Sequence, residues 1–274
     1  MEEEDIKKVV REGYARVAQT GSTCYTAESP CCGPDLAQDI SKKIGYSQED
    51  IEAVPEGANL GLGCGNPVAM ASLKEGETVL DLGSGAGFDC FLASPGVGKT
   101  GKVIGVDMTP EMLEKAKENA RKGGYSNVEF RLGEIEHLPV ADSSIDAIIS
   151  NCVINLVPDK SAAFREAFRV LKPGGRLMVS DIVLEKELPE AVQNSIGAYI
   201  GCVAGASMKE DYLAAISAAG FGEVEITGEK SFPVELIAND PTGQAVMENL
   251  DIAPEIARDV ADSITSVSVC AMKG

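Results

Sequence analysis

The chain between residues 77 and 180 alternates short apolar runs with segments of helical spacing. The apolar runs predict five strands, at residues 78–80, 103–106, 128–130, 145–150 and 176–180. Helical segments lie between them at 110–120, which opens on Thr109 and Pro110, and at 161–171. Strands that alternate with helices are typical of a parallel, doubly wound sheet, so we expect the α/β fold class.

The segments on either side of this core follow a different pattern. Apolar residues between positions 6 and 17 recur at helical spacing, and no strand pattern precedes the core. The C-terminal part indicates helices at 189–200, 206–219 and 241–260, and two late strands at 224–226 and 264–269. We therefore expect a cysteine-bearing extension (1–74), a sheet core (75–183), and helical additions with the last two strands (184–274).

Composition and charge exclude several classes of protein. The chain has 43 acidic and 24 basic residues and a formal net charge of −19, which repels phosphate backbones, so we expect no nucleic-acid partner. No apolar stretch reaches the roughly 20 residues that a membrane-spanning helix needs. The acidic start lacks a signal peptide's basic and apolar regions, so we expect a cytoplasmic protein whose eight cysteines are reduced thiols.

A glycine-rich loop follows the first predicted strand and reads Asp81-Leu82-Gly83-Ser84-Gly85-Ala86-Gly87. Asp107 closes the second strand, where an acid can accept hydrogen bonds from both hydroxyls of a ribose. The spacing differs from the G-x-G-x-x-G pattern of dinucleotide sites, and Asp81 would oppose a pyrophosphate. The pattern favours a cofactor with an ammonium group and no phosphate, such as S-adenosylmethionine, over a tight turn without a ligand.

Three cysteines far apart in sequence, Cys64, Cys152 and Cys202, are candidate substrate ligands. Cys152 follows the fourth predicted strand, and ligands of open α/β sheets bind outside the carboxyl ends of strands. Trivalent arsenic is soft and prefers sulfur. Exchange of the three hydroxides of neutral arsenous acid for three thiols would leave a neutral centre with a lone pair. Each cysteine could instead be core packing, whereas a structural zinc site would need closely spaced ligands that are absent here.

The glycine loop, Asp107 and the segment Leu171-Lys172-Pro173-Gly174-Gly175 together resemble the class I S-adenosylmethionine-dependent methyltransferases. The resemblance covers roughly residues 75 to 183 and implies a mostly parallel, Rossmann-like sheet of seven strands with the last strand antiparallel. It also implies a set of cofactor-binding residues, in which Asp107 takes the ribose, Met108 lies beside the adenine and Asn151 lies near the methionine part. The segment 133–136, after the third strand, resembles the one that closes over the adenine ring. The full set is Asp81, Gly83, Ser84, Gly85, Gly87, Asp107, Met108, Glu134, Ile135 and Asn151.

Three further segments, at 61–67, 150–160 and 201–205, each contain one of the three cysteines and resemble the arsenite methyltransferases. The resemblance implies arsenite or its thiol conjugates as substrate, S-adenosylmethionine as methyl donor, and Cys64, Cys152 and Cys202 as the ligands of trivalent arsenic. It also implies that Cys31 or Cys32 takes part in a thiol–disulfide step. An external thiol reductant, glutathione or thioredoxin, would restore that pair.

The sequence leaves two other functions open. The chain could methylate an organic small molecule, with the cysteines packing its pocket, or it could bind arsenic through its thiols without turnover. The one histidine, His137, lies in what we expect to be a surface loop, so the commonest general base is absent from the site. A substrate that needs no deprotonation suits this site, and we expect an arsenite methyltransferase.

Overall fold

The computed structural model describes residues 3–20, 34–193, 202–231 and 263–274. Its helices are α1 (Glu3–Thr20), α2 (Pro34–Ile44), α3 (Gln48–Ala53), α4 (Pro67–Met70), α5 (Phe88–Val97), α6 (Pro110–Gly123), α7 (Lys160–Val170), α8 (Glu190–Gln193) and α9 (Lys209–Ala218). Its strands are β1 (Thr78–Leu82), β2 (Lys102–Asp107), β3 (Val128–Leu132), β4 (Ile145–Asn151), β5 (Leu171–Leu184), β6 (Gly222–Ser231) and β7 (Ile264–Met272). A short 3₁₀ turn, Ile154–Leu156, follows β4.

The seven strands form one sheet in the order β3-β2-β1-β4-β5-β7-β6. The neighbours from β3 to β5 pair in parallel, and β7 pairs antiparallel with both β5 and β6. The predicted α/β fold class, with seven strands and an antiparallel last strand, is confirmed. Because parallel strands end at the same edge of the sheet, the segments that follow β1, β2 and β4 lie side by side.

Helix α7 ends one residue before the predicted end, because Leu171 is already extended and begins β5. Pro173 disfavours helical backbone at Lys172, so the helix could not have continued past Leu171. The predicted helix at 189–200 is described only over Glu190–Gln193, and the predicted helix at 241–260 lies outside the described residues. Within the described part of the chain, no helix combines the length and apolar character needed to cross a membrane.

The sheet is covered by apolar clusters on both faces. Successive residues of a strand point to opposite faces, so Leu80 and Ile148 pack in one cluster while Val79 and Ile149 pack in the other. The first cluster also holds Phe164 of α7. A parallel sheet that is buried on both faces needs continuous apolar strands, which the sequence supplies.

The N-terminal extension packs near the carboxyl ends of the strands. The loop at 61–67 crosses β5 so closely that a side chain at Gly65 would lie 2.6 Å from the hydroxyl of Ser180. The same loop is held from β7, where the Ser266 hydroxyl donates to the carbonyl of Cys64 at 2.6 Å. The loop is therefore fixed against the sheet, and Cys64 lies at its carboxyl edge.

Replacement of Phe164 by alanine tests the packing of α7 on the sheet. Phe164 is fully buried, and its ring meets that of Tyr212 edge to face at 5.4 Å between centroids. We expect the Phe164→Ala variant to lose about 3–5 kcal/mol of the free energy of unfolding, measured by urea denaturation. The control Leu132→Ala, at a side chain that is 58% exposed, should change it by about 0.5 kcal/mol or less.

Candidate functional site

The glycine loop after β1 is fixed to the end of β2 through its backbone. The amides of Gly83 and Ser84 both donate to the carbonyl of Val106, at 2.8 and 3.0 Å. Gly85 has a φ of +50°, and a side chain added there would meet no atom within 4 Å. The loop therefore turns a bare stretch of backbone toward open space, which is the shape that a close-lying cofactor requires.

Asp107 at the end of β2 is held in place by backbone amides. One carboxylate oxygen accepts from the Gly85 amide at 2.9 Å, and the other accepts from the Thr109 amide at 2.8 Å. Burial raises the pKa of Asp107, while these two hydrogen bonds oppose the rise. Each oxygen keeps a second lone pair, so the carboxylate can accept the two hydroxyls of a ribose.

Two more carboxylates are buried behind the glycine loop. Asp81 accepts the thiol of Cys90 at 3.2 Å, and Asp89 accepts the hydroxyl of Tyr46 at 2.6 Å. Burial, and then the negative charge of Asp89, raise the pKa of Asp81 well above its usual value. Burial raises the pKa of Asp89 to about 6. Such a group of acids repels a phosphate and would be stabilised by a cation, so the residues fit the sulfonium and ammonium of S-adenosylmethionine.

Asp89 was not among the residues predicted from the sequence. It belongs to the first turn of α5, where an acid is expected simply to stabilise the helix dipole. Tyr46, its partner, comes from the extension before α3, and nothing in the sequence indicates that these two residues meet.

The segment predicted to close over an adenine ring is tied to α1. Glu134 forms ion pairs with Lys7 at 2.7 Å and with Arg11 at 3.6 Å. Ile135 is buried in the cluster that contains β1 and β4, so its side chain points into the core. Met108 is half-buried in a third cluster that also holds the three predicted arsenic ligands. In this arrangement, Ile135 could face a cofactor only through its backbone.

Asn151 at the end of β4 joins the extension to the sheet. Its amide nitrogen donates to the Tyr46 hydroxyl at 2.8 Å and to the Gly65 carbonyl at 2.9 Å, and it lies 3.1 Å from Asp89. Its amide oxygen accepts the backbone N–H of Cys64 at 3.0 Å. Asn151 thus fixes the position of Cys64 relative to the neighbouring Cys152.

Cys64, Cys152 and Cys202 converge beyond the carboxyl edge of the sheet. The thiol of Cys64 donates to the carbonyl of Ser180 at 3.3 Å, and the thiol of Cys202 donates to the carbonyl of Cys152 at 2.9 Å. Cys152 and Cys202 have φ values of +57° and +63°, in the left-handed region that few residues other than glycine adopt. The fold therefore brings together the three cysteines that the sequence pattern singled out.

These thiols are poor acids in the protein alone. Burial raises the pKa of Cys64. A hydrogen bond with Cys152, together with burial, raises the pKa of Cys202 well above its usual value. For Cys152, the hydrogen bond with Cys202 lowers the pKa, whereas the hydrogen bond with Cys64 and burial raise it. The raising effects are larger, so the pKa of Cys152 also lies well above its usual value. The cluster is therefore uncharged at neutral pH and loses protons when a soft ligand binds.

A buried acid that the sequence did not reveal borders the thiols. An oxygen of Asp181 and the sulfur atoms of Cys64 and Cys152 all lie within 4.8 Å of one another. Asp181 accepts hydrogen bonds from Asn155 at 2.8 Å and from the Tyr212 hydroxyl at 3.1 Å. Burial raises its pKa to about 7. As a polar position within the apolar strand β5, it gave no signal of a site.

Tyr14 of α1 reaches the same cluster. Burial raises its pKa well above the usual value, and the nearby Cys202 and Cys152 raise it further. Helix α1 therefore contacts both the thiols and, through Glu134, the predicted adenine segment. Cys31 and Cys32 lie outside the described residues, and Cys90 is buried behind the glycine loop.

Comparisons with known proteins show which families and solved structures this chain is similar to. A family model described as a methyltransferase domain matches residues 73–220. The arsenite methyltransferase of Halobacterium salinarum is 51% identical over 81% of this chain, and that of Homo sapiens is 38% identical over 74%. The crystal structure of an arsenic(III) S-adenosylmethionine methyltransferase from Chlamydomonas reinhardtii is 33% identical, with a TM-score of 0.63 over 88% of this chain and 74% of that one.

The chain spans a little more than half the length of these curated relatives, 59% of the Halobacterium protein and 54% of the human one. The segment matched by the methyltransferase-domain model includes strands β1 to β5 and the glycine loop, and it covers more than half of the chain. The chain belongs to the arsenite methyltransferases, a family within the methyltransferase-domain proteins.

Proposed function

We propose that this chain transfers a methyl group from S-adenosylmethionine to trivalent arsenic held by Cys64, Cys152 and Cys202. The observation that carries the proposal is the convergence of three thiols beside a glycine loop whose neighbouring acids suit a cationic cofactor; Cys64 and Cys202 are buried and Cys152 is half-buried. The names of the relatives support the substrate and the donor.

Arsenous acid is neutral, so it can enter a protein of net charge −19 without repulsion. Each thiol gives its proton to a departing hydroxide, and three sulfur–arsenic bonds replace three oxygen–arsenic bonds with release of three waters. Cys64 and Cys202 are buried and Cys152 is half-buried, and Asn151 holds the Cys64 loop beside Cys152, so the bound arsenic is largely screened from water and kept in one position. The arsenic lone pair is already a nucleophile, and no general base is needed.

The cofactor would be held by Gly83, Gly85 and Gly87, with Ser84 beside them, and by Asp107 at the ribose. Asp81 and Asn151, with Met108, Glu134 and Ile135 at the adenine, complete the proposed set. When bound, S-adenosylmethionine supplies an electrophilic methyl group, and the protein's task is to align that group with the arsenic lone pair.

Methylation through a lone pair oxidises arsenic from the trivalent to the pentavalent state, so a two-electron reductant must follow. We propose that the thiol of Cys31 or Cys32 and a second cysteine thiol of the chain together supply the two electrons and form a disulfide, which glutathione or thioredoxin then reduces back to two thiols. In this scheme residues 1–74 provide Cys64 and the redox pair, 75–183 hold the cofactor, and 184–274 provide Cys202. The cytoplasmic location stays a prediction.

Serine variants of the three cysteines test the arsenic ligands. We expect Cys64→Ser, Cys152→Ser and Cys202→Ser each to lower arsenite methylation by about a hundredfold or more, because a hydroxyl is a poor ligand for soft arsenic. Affinity for S-adenosylmethionine, measured by calorimetry, should change by about twofold or less, well under 1 kcal/mol. The control Cys270→Ser lies on β7 outside the cluster and should keep full activity. Full activity in all three variants would refute the assignment.

Asp107 provides a separate test of the cofactor site. Asp107→Ala should weaken S-adenosylmethionine binding by about 10- to 100-fold, since hydrogen bonds to a charged group contribute roughly 1.5–3 kcal/mol. The matched control Asp211→Ala removes an exposed acid at the start of α9 and should leave the dissociation constant unchanged. Equal affinities for the two variants would show that the ribose is bound elsewhere.

One assay separates the three candidate functions. The reduced protein is incubated with S-adenosylmethionine, arsenite and a thiol, and S-adenosylhomocysteine is measured with and without arsenite. Product that requires arsenite supports the proposal. Product formed from an organic acceptor without arsenite supports the small-molecule methyltransferase, and arsenite binding without product supports the binding protein.

A further inference from the structure

The donor atoms that lie closest together in the thiol cluster are not three sulfurs. Among the described residues, the group in which every donor atom lies within 4.8 Å of the others consists of Cys64, Cys152 and Asp181. Two sulfurs and one carboxylate oxygen around a Zn²⁺ ion would be separated by roughly 3.5–3.8 Å, given metal–ligand bonds of about 2.0–2.3 Å. Small side-chain rotations would close the difference.

Asp181 has the burial and the hydrogen bonds that are common for a carboxylate that binds a metal. It has no exposed surface, and one of its oxygens accepts the side chain of Asn155 at 2.8 Å and the amide of Ile182 at 2.9 Å. The other oxygen accepts the Tyr212 hydroxyl at 3.1 Å and keeps a lone pair. Hydrogen bonds of this kind orient ligating carboxylates in metal sites.

Cys202 lies outside the group of three closest donor atoms, and its thiol makes the shorter of two hydrogen bonds to backbone carbonyls. It donates to the carbonyl of Cys152 at 2.9 Å, against 3.3 Å from Cys64 to the carbonyl of Ser180, so it can stay protonated while Cys64 and Cys152 bind a ligand. Arsenic(III) would require Cys202 as its third sulfur, because it is soft and prefers thiolates. A borderline ion such as Zn²⁺ also accepts oxygen and can use Asp181 instead.

The charges around the cluster can be balanced in both cases, for arsenic(III) on three thiolates and for a divalent cation on two thiolates and Asp181. Lys160 lies near Asp181 and Cys202; burial lowers the pKa of Lys160, while the negative charge of Asp181 favours its ammonium form. Arsenic(III) with three thiolates is neutral, and Asp181 then balances Lys160. A divalent cation with two thiolates and Asp181 carries one negative charge, which Lys160 also balances. A buried site accepts only ligand sets whose charges are compensated in this way.

We propose that Cys64, Cys152 and Asp181 form a binding site for a divalent thiophilic cation, Zn²⁺ or Cd²⁺, that excludes arsenic by occupying two of its ligands. Binding forms two metal–sulfur bonds and one metal–oxygen bond, and it releases two thiol protons to solvent. No electrons are transferred. This site goes beyond the proposed function, and it needs neither S-adenosylmethionine nor turnover.

Cadmium titration of the full chain tests the site. The protein carries serine at Cys24, Cys31 and Cys32, so that these thiols cannot bind the metal, and it is reduced and free of arsenite. We expect one Cd²⁺ per chain, with thiolate-to-cadmium charge-transfer absorption in the ultraviolet. Asp181→Asn should weaken the affinity by about tenfold or more, and Cys64→Ser or Cys152→Ser should abolish the absorption that both sulfurs give together.

Cys202→Ser distinguishes the two ways of binding, since it should alter Cd²⁺ affinity by about threefold or less, under 1 kcal/mol. Cys270→Ser is the matched cysteine control and should have no effect. The cadmium NMR shift is measured on the protein with only the three serine substitutions, which keeps Asp181 and the three site cysteines, and it shows whether two or three sulfurs bind the metal. A misfolded Asp181→Asn variant would therefore not decide the result. Arsenite added to the cadmium complex should displace the metal.

No cadmium binding, a three-sulfur shift, or loss of binding in Cys202→Ser equal to that in Cys64→Ser would overturn the inference. Normal cadmium binding by this protein, together with no arsenite methylation by the chain that keeps all eight cysteines, would instead contradict the proposed function and leave this site standing. The two proposals can therefore fail independently.

Discussion

The arrangement of the site depends on one side-chain amide, that of Asn151. It accepts the N–H of Cys64 and donates to the carbonyl of Gly65, so it fastens a loop of the N-terminal extension to the end of β4. Gly63 must lack a side chain for this contact, because a Cβ there would come within 2.8 Å of the Asn151 amide. A loop that packs on the sheet only through apolar contacts could slide, whereas directed hydrogen bonds fix its register.

The same amide connects the substrate end to the cofactor end. Asn151 is next to Cys152 in the chain, and it contacts Tyr46 and Asp89, which lie behind the glycine loop. Burial raises the pKa of Asp81 and Asp89, so a cation bound beside them would favour their charged forms, while the thiols suit the neutral substrate that we propose. The acids thus lie at the end of the site proposed for the cationic cofactor, and the thiols lie at the end proposed for the neutral substrate.

The parallel core of the sheet was predictable because β1, β2 and β4 are apolar runs of the right length between helices. Strand β6 is mostly exposed and carries several charged residues, so the sequence indicated only its positions 224–226. The glycine loop and Asp107 were also predictable, because a strand end and a turn are local features. The long-range partners were not. Tyr46 and Asp89 are 43 residues apart, and Asp181 is an isolated acid in an apolar strand, so neither forms a sequence pattern. The three cysteines were found through soft-ligand chemistry and family resemblance, and their convergence required the fold.

The left-handed backbone at Cys152 and Cys202 carries a consequence for how this protein can vary. At both positions the main chain adopts angles that glycine tolerates freely and that a residue with a Cβ tolerates at a cost of roughly 1–2 kcal/mol. Selection for thermal robustness alone would thus push these two sites toward glycine, which would erase two of the three sulfurs. A directed-evolution campaign that screens only for heat resistance would drift toward inert, well-folded chains.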